Sequence, residues 1–203
     1  MSTTTDGPTT TTTGARSTRD RILDAAVDLF YNQGIRATSA DRIIERAGIT
    51  KVTFYRHFRT KDALVIAYLE RQAAWERDAF DTLRETTADA AEGFRAFAET
   101  IGTASCRPGF RGCAFLNAAA EYADPESGVR QAVAGHRKWY RETFASMLEE
   151  MGATDPERAA DEVMMLRDGA MMAGYLDEGS RVGPALAAAI FAVASEHQAG
   201  SRA

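Results

Sequence analysis

The side chains most suited to specific chemistry lie together in the segment GITKVTFYRHF, at residues 48–58. This segment combines threonine hydroxyls, a lysine ammonium group, a phenol and an imidazole. Such groups donate and accept hydrogen bonds at base edges and phosphate oxygens, and a branched apolar side chain can contact a thymine methyl group. The segment therefore has the chemistry for contact with a nucleic acid.

The periodicity of this segment has two interpretations. With a period of two, Val52, Phe54 and Phe58 would share one face of a short strand. The chain offers no partner strand nearby, whereas three short helices could bury the phenylalanines together. We therefore predict a helix here, packed in a shared core of Phe30, Ile44, Ile49, Phe54 and Phe58.

Two helices with recognisable ends precede this segment. Ser17 begins the first helix as a capping residue, and Gly34 ends it where a left-handed cap is favoured. Thr38 begins a second, shorter helix in the same way, and Gly48 ends it. The turn AGIT then leads to a third helix that starts at Thr50. Two short helices joined by a tight glycine turn form a helix-turn-helix.

A helix-turn-helix inserts its second helix in the major groove of DNA, with the first residues of that helix nearest to the bases. The amino-terminal end of a helix can bind a phosphate group, and polar side chains beyond the first turn of the second helix can hydrogen-bond phosphate oxygens. The predicted base contacts are Thr50, Lys51, Val52 and Thr53, and the predicted phosphate contacts are Thr38, Tyr55, His57 and Lys61.

Simpler roles stay open for some of these residues. Thr50 could serve only as a helix cap, and His57 could be a partly buried hydrogen-bonding group. Val52 and Tyr55 could be packing residues. Phe54 and Phe58 are assigned to the core and are not expected to contact DNA.

Formal charge along the chain supports a polyanionic partner. The whole chain carries −5 at pH 7. Residues 1–61 hold ten Lys or Arg against six Asp or Glu, whereas residues 62–203 hold fourteen against twenty-three. Salt screens charges beyond about 10 Å, so a polyanion is attracted mainly by the charges nearest to it. A basic end on an acidic body can therefore orient a protein toward a polyanion. Ordinary variation of surface charge is the alternative.

Composition and motifs argue against several other classes. No apolar run approaches the roughly 20 residues that span a bilayer. Residues 1–15 are threonine-rich and lack the apolar stretch of a secretory signal, so we expect a disordered leader and a cytoplasmic protein without a membrane partner. The chain has no Gly-x-Ser-x-Gly elbow, no His-Glu-x-x-His pair and no phosphate-binding loop, so no enzyme activity, cofactor or metal is predicted.

Helical periodicity continues to the carboxyl end without strand-like alternation, so the predicted fold class is all-α. The predicted domains are a three-helix helix-turn-helix domain at 16–60 and a helical ligand-binding and dimerisation domain at 61–203. Helices in the second domain are expected at 61–85, 88–105, 112–123, 126–151, 156–178 and 183–198. Thr60 opens the first of them, and Asp124-Pro125 and Asp155-Pro156 each place a capping residue before a proline suited to the first helical position.

The second domain offers two further candidate sites. The helices at 156–178 and 183–198 are rich in small residues and have apolar surface to spare, so a homodimer is predicted through them. The middle helices are rich in aromatic residues and methionine, which could form a deformable pocket for a small apolar or amphipathic ligand or simply a core. The pocket candidates are Phe97, Phe115, Asn117, Tyr122, Trp139, Met165 and Met171.

The span from Ser17 to Leu64 resembles the DNA-binding region of the TetR family of transcriptional regulators. The resemblance implies a regulator, typically a repressor, that binds a palindromic operator as a homodimer with a four-helix interface and is released by a small-molecule inducer. Val52 departs from the family, which commonly has a small residue there. The resemblance rests on Gly34, Thr38, Ile43, Ile44, Ala47, Gly48, Phe54, Tyr55, His57, Phe58 and Lys61.

Two other functions stay open. One is an all-helical adaptor that binds a partner without contacting DNA, which low-salt binding to non-specific duplex DNA would distinguish from a regulator. The other is a redox-sensing regulator that uses Cys106 and Cys113, since the nearby Arg107 and Arg111 could lower a thiol pKa. Two cysteines are too few for a disulfide scaffold.

Overall fold

The computed structural model describes residues 16–198, so the leader predicted at residues 1–15 lies outside the described part of the chain. Within that part the fold is all-α, as predicted. No helix in it is both long enough and apolar enough to cross a membrane. The elements are α1 (Thr18–Gln33), α2 (Ala40–Ala47), α3 (Lys51–His57), α4 (Lys61–Thr86), α5 (Ala90–Ser105), α6 (Ala114–Glu121), α7 (Gly128–Glu150), α8 (Pro156–Leu176), a short 3-10 helix (Gly179–Arg181) and α9 (Val182–Glu196).

Hydrogen bonds at the helix ends confirm several predicted caps. The hydroxyl of Ser17 accepts from the amide of Asp20 at 3.1 Å, and that of Thr60 accepts from the amide of Ala63 at 3.0 Å. Gly34 ends α1 with a positive φ of 91°, but its ψ of 154° is extended rather than left-handed helical. The segment GITKVTFYRHF contains helix α3 and no strand, as predicted.

The predicted start of α2 at Thr38 is wrong by one residue, because Ser39 is the cap. The hydroxyl of Ser39 accepts from the amide of Arg42 at 3.3 Å. Thr38 is fully buried, and its hydroxyl donates to the carbonyl of Gly34 at 2.8 Å. Its side chain therefore ties the end of α1 to the loop before α2 and faces away from solvent.

The predicted start of α7 directly after Asp124 is also wrong. Asp124 turns the chain instead, since its carboxylate accepts from the amide of Glu126 and its carbonyl accepts from the hydroxyl of Ser127, both at 2.9 Å. Ser127 is the cap of α7. The equivalent prediction for α8 is confirmed, because Asp155 caps that helix and Pro156 is its first residue.

Two apolar clusters form the core. The first joins α1, α2 and α3 to the first half of α4, to α6 and to the start of α7. The second lies between the end of α4 and helices α5, α7, α8 and α9, where Phe80, Phe97 and Phe144 pack ring against ring. Helix α4 contributes to both clusters and so connects the helix-turn-helix to the body. The predicted domain division at residue 60 coincides with the start of α4 and stays a prediction.

Gly102 marks a close approach between α5 and α9. A Cβ at this position would lie 2.8 Å from the Cα of Gly183, which is backbone and cannot swing aside. Gly102→Ala is therefore expected to lower the free energy of unfolding by about 1–3 kcal/mol through overpacking. Urea denaturation measures the change.

Gly135 on α7 provides the matched control for this prediction. A Cβ there meets nothing within 4 Å, so Gly135→Ala is expected to raise the free energy of unfolding by roughly 0.5–1 kcal/mol through helix propensity. Unchanged stability in Gly102→Ala would show that α5 and α9 separate at no cost.

Candidate DNA-binding surface and ligand cavity

The turn between α2 and α3 is held by backbone geometry and by an arginine from α1. Gly48 has left-handed angles, φ 62° and ψ 47°, which glycine adopts with little strain. The next amide, of Ile49, donates to the carbonyl of Ile44 at 3.2 Å. The guanidinium group of Arg21 donates to the carbonyls of Ala47 at 2.6 Å and Gly48 at 3.1 Å. The hydrogen bond within the turn and those from Arg21 together fix the angle between α2 and α3.

Helix α3 has one buried face and one exposed face. The hydroxyl of Thr50 caps it by accepting from the amide of Thr53 at 3.2 Å. Phe54 is completely buried, whereas Val52 is 79% exposed and Tyr55 is 43% exposed. An apolar side chain as exposed as Val52 contributes little to packing, whereas Tyr55 packs edge-on against Phe54 with ring centroids 5.2 Å apart. The packing alternative therefore loses its basis for Val52 and keeps it for Tyr55.

The candidates Lys51, His57 and Lys61 follow the helix-turn-helix turn on α3 and at the start of α4. Lys51 and His57 are exposed, and the ammonium group of Lys51 lies 3.5 Å from the carboxylate of Asp41 in a loose surface pair. Lys61 is the first residue of α4, where the helix dipole disfavours a cation. Burial lowers the pKa of Lys61, although the carboxylates of Glu121 and Asp62 oppose this shift. This placement is unfavourable for folding and suits an anionic partner.

More cations of the region from α1 to the start of α4 do not pair with acids. Four arginines are exposed and have no acidic side chain within 4 Å in the described part of the chain. Unpaired surface cations raise the local positive potential, which attracts a polyanion. They are Arg36, Arg42, Arg56 and Arg59.

Polar contacts join the helix-turn-helix to the body, and the sequence interpretation missed them. The carboxylate of Glu121, at the end of α6, accepts from the backbone amides of Ile35 at 2.8 Å and Arg36 at 2.6 Å. The hydroxyl of Tyr31 on α1 donates to the carbonyl of Gly112 at 3.0 Å. No local motif marks such contacts, because the partners stand some 80 residues apart along the chain.

A cavity of about 890 Å³ lies between these two parts of the molecule. Side chains of α1, α4, α5, α7 and α8 and of the loop after α5 surround it, and most of them are apolar or aromatic. Its volume falls within the range of small-molecule sites. Among its lining residues are Tyr31, Tyr68, Trp75, Phe80, Phe97 and Met171.

The predicted pocket residues are only partly brought together. Phe97 and Met171 line the cavity. Asn117 lies at a second, smaller cavity of about 210 Å³, and its amide donates to the carbonyl of Arg111 at 2.9 Å. This bond satisfies the polar group that made Asn117 a candidate.

The other four pocket candidates line neither cavity, because each side chain packs or hydrogen-bonds elsewhere or is exposed. Phe115 is buried and stacks on His136 with ring centroids 3.6 Å apart. Tyr122 donates its hydroxyl to the carboxylate of Asp62 at 2.7 Å. Trp139 packs edge-on against Phe80 and lies beneath Arg77, and Met165 is 65% exposed on α8.

A buried polar cluster forms one wall of the cavity, and sequence reasoning missed it. The carboxylate of Glu76 on α4 accepts from His136 at 3.0 Å and from the hydroxyl of Tyr140 at 2.9 Å. Arg167 on α8 lies 3.7 Å from the same carboxylate. Burial alone would raise the pKa of Glu76, but the hydrogen bond from His136 and the charge of Arg167 hold it below its usual value. The carboxylate therefore stays ionised inside the protein.

The two cysteines occupy different environments. Cys106 is exposed at the end of α5, whereas Cys113 is buried before α6 and accepts a hydrogen bond from Arg167 at 3.3 Å. Both thiols are free, and the redox hypothesis stays a prediction. The described residues contain no group of three or more His, Cys, Asp or Glu side chains placed to hold a metal ion.

Comparison with known proteins now identifies the family. A family model described as "Bacterial regulatory proteins, tetR family" matches residues 22–68, and one described as "Tetracyclin repressor-like, C-terminal domain" matches residues 90–189. The chain is similar to SCO4454, a TetR-family transcriptional regulator from Streptomyces coelicolor, with a TM-score of 0.85 and 38% identity over 90% of this chain and 96% of that one. The chain therefore belongs to the TetR family of transcriptional regulators.

Curated relatives agree with this assignment. LmrA from Bacillus subtilis, a transcriptional regulator of the helix-turn-helix type, is 28% identical over 139 residues, which cover 68% of this chain and 74% of LmrA. YvkB from the same organism is 41% identical over 59 residues, which cover 29% of this chain and 31% of YvkB. Both relatives are transcriptional regulators of the helix-turn-helix type.

Proposed function

We propose that this regulator binds a palindromic operator as a homodimer in the cytoplasm, represses transcription and leaves the DNA when a small-molecule inducer binds. One observation carries the proposal: side chains of α1 and α4, which hold the helix-turn-helix, also line the cavity of about 890 Å³. A ligand there touches the elements that place the recognition helix. A ligand that binds one arrangement of these helices more tightly than another would raise the population of the arrangement that it prefers.

Helix α3 is the proposed recognition helix. Its first turn is exposed and its cap is formed, so these side chains can enter the major groove without rearrangement. The phosphate contact predicted for Thr38 is proposed for Ser39 instead, because Thr38 is buried and Ser39 is exposed at the start of α2. The proposed base contacts are Thr50, Lys51, Val52 and Thr53, and the proposed phosphate contacts are Ser39, Tyr55, His57 and Lys61.

Glu121 is proposed to transmit the ligand's effect to the DNA-binding surface. Its two hydrogen bonds hold the loop between α1 and α2 from the body side. Tyr31 adds a second link, and it also lines the cavity. A ligand that displaces Tyr31 or the loop after α5 would therefore change how α1 is held.

The proposed dimer interface consists of α8 and α9. Met165, Met172 and Leu176 are 65%, 45% and 68% exposed, and their spacing places them in one stripe along α8. Exposed alanines at 185, 188 and 192 form a similar stripe on α9. Small residues let helices approach closely, and burial of the apolar stripes would stabilise a four-helix contact.

Loss of a single lysine should reduce both affinity for DNA and its dependence on salt. Lys61→Met is expected to weaken duplex binding and to reduce the slope of log K against log salt by about 0.9, the value for one lost phosphate contact. Lys51→Met, at a proposed base contact, is expected to weaken binding and to relax the preference for the operator sequence. Fluorescence anisotropy at several salt concentrations measures the slope.

Lys138 on α7 is the matched control, because it is exposed and forms only a loose surface pair with Glu142 at 3.5 Å. Lys138→Met should leave the slope unchanged. If Lys61→Met leaves the slope unchanged, Lys61 does not contact a phosphate, and if Lys51→Met keeps the full sequence preference, Lys51 does not contact a base.

The whole proposal is tested by recovering genomic fragments that the purified protein retains, and then screening small molecules for release of those fragments. A palindromic site among the fragments and release by at least one compound are expected. If the protein shows no salt-sensitive binding to duplex DNA at low salt, the adaptor function replaces this one.

A further inference from the structure

Arg107 is an exposed cation in the wall of the cavity of about 890 Å³, in the loop that follows α5. Among residues 16–198, no acidic side chain lies within 4 Å of its guanidinium group. The other two arginines of the wall do have acidic partners, since Arg71 lies 2.8 Å from Asp24 and Arg167 lies 3.1 Å from Asp168. Arg107 is therefore the cation of this wall that is available to a ligand anion.

The carboxylates of the wall, in contrast, are engaged. Asp24 lies 2.8 Å from an arginine and Asp28 lies 2.7 Å from another, while Glu76 accepts from His136 at 3.0 Å. A ligand cation would have to compete with one of these partners, so the acidic side chains of the wall give it no free counter-ion.

The charged residues of the wall, followed through the ion pairs that they form, carry a net formal charge of +2 with histidine counted as neutral. Such an excess of positive charge around a cavity favours an anion within it. The basic members are Arg16, Arg46, Arg71, Arg107, Arg137 and Arg167, and the acidic members are Asp24, Asp28, Glu76 and Asp168.

The wall also divides into an exposed part and a buried aromatic part. Arg107 and Pro108 are exposed and Trp75 is 60% exposed, so these side chains border the opening to solvent. Phe80 and Phe97 are buried and suit stacking and edge contacts with a ring system. A carboxylate at the opening keeps part of its hydration, which avoids most of the cost of burying a charge, and a guanidinium group can bind it through two hydrogen bonds.

We propose that the inducer is an aromatic carboxylate, whose carboxylate group binds the guanidinium group of Arg107 at the opening while its rings pack against the buried aromatic side chains. The inference rests on the proposed function in one respect, that this cavity is the inducer site. It adds the chemical class of the inducer and names the residue that selects its charge.

Three matched probes test this class: pyrenebutanoate, pyrenebutanamide and pyrenebutylammonium, which share one ring system and one chain and differ in the charge of the head group. Equilibrium dialysis against the full-length protein at low salt measures their dissociation constants. Pyrenebutanoate is expected to bind about fivefold more tightly than the amide, as one partly exposed ion pair predicts, and more tightly than the ammonium probe. The inference is overturned if none of the three binds, if the amide matches the carboxylate, or if the ammonium probe binds best.

Two substitutions of Arg107 test the role of the named cation, and its exposure in a loop lets both variants fold. Arg107→Gln removes the charge and is expected to abolish the preference for the carboxylate over the amide. Arg107→Glu reverses the charge and should tighten binding of the ammonium probe, which a change in packing alone would not do.

Arg158 on α8 provides the matched controls, because it is exposed and does not line the cavity. Arg158→Gln and Arg158→Glu should retain the preference for the carboxylate. A preference that survives Arg107→Gln overturns the assignment, and so does an ammonium probe that binds Arg107→Glu no more tightly than the unaltered protein.

DNA binding is measured in parallel so that the two proposals fail separately. Salt-sensitive binding to duplex DNA without a preference for the carboxylate probe overturns this inference alone. A carboxylate preference that depends on Arg107, in a protein that binds no duplex DNA, refutes the proposed function and leaves the ligand class standing.

Discussion

Met172→Glu is expected to convert the homodimer into a monomer and to lower operator affinity by about a hundredfold or more. Met172 lies in the middle of the exposed apolar stripe on α8, between Met165 and Leu176. Close contact between two such stripes would bury two like charges near the two-fold axis, at a cost of several kcal/mol. The proposed dimer would hold two DNA-reading helices on one body, so the second contact would be intramolecular and would add affinity of about 10² to 10⁴. A monomer loses that gain.

Sedimentation velocity gives the mass of the variant, and fluorescence anisotropy gives its affinity for an operator fragment. Met172→Leu is the matched control, because it keeps an apolar side chain of similar volume and should remain dimeric. Urea denaturation shows whether the glutamate variant keeps a folded core. A folded Met172→Glu protein that stays dimeric at micromolar concentration contradicts the proposed interface.

Phe54→Ala is expected to lower the free energy of unfolding of the DNA-binding region by about 3–5 kcal/mol. Phe54 is completely buried, and its ring lies 5.2 Å from that of Tyr55 and 6.4 Å from that of Phe58. Truncation leaves a cavity beneath α3, which has only seven residues and relies on packing to stay in place. DNA binding should fall with the loss of that packing. Thermal denaturation and anisotropy measure the two effects.

Val52→Ala is the matched control, two residues away on the same helix. Val52 is 79% exposed, so its truncation should change the free energy of unfolding by less than about 0.5 kcal/mol. It should still alter the preference among operator sequences if its side chain touches a thymine methyl group. Equal stability of Phe54→Ala and Val52→Ala would contradict the assignment of buried and exposed faces.

The ends of the helices show where local sequence is sufficient to predict the capping residue and where it is not. Ser17, Thr60 and Asp155 cap helices as predicted, because a capping hydrogen bond joins residues only a few positions apart. Between Thr38 and Ser39 the local signal is ambiguous, since both can cap a helix. Tertiary packing decides: the hydroxyl of Thr38 finds acceptors inside the fold, and Ser39 is left to cap α2.

Amino-acid composition was a weak guide to the cavity. An aromatic residue in a helix can equally fill a core, as Phe115 does against His136, or line a void, as Phe97 does. The polar wall around Arg167 was not predicted, because its members come from α4, α7 and α8. A charged residue within an apolar helix, as in the MMLRDGAMM stretch around Arg167, is the sequence signal that could have indicated it.

The sequence alone determined the all-α class, the helix-turn-helix and the split of α3 into a buried and an exposed face. All three depend on spacing within one helix or one turn, which the order of residues specifies directly. Only the tertiary structure decided that Thr38 points inward, that Glu121 holds the loop before α2 and that Arg167 faces a cavity shared with α1. These contacts join residues from distant parts of the chain, and the way the helices pack determines which of them meet.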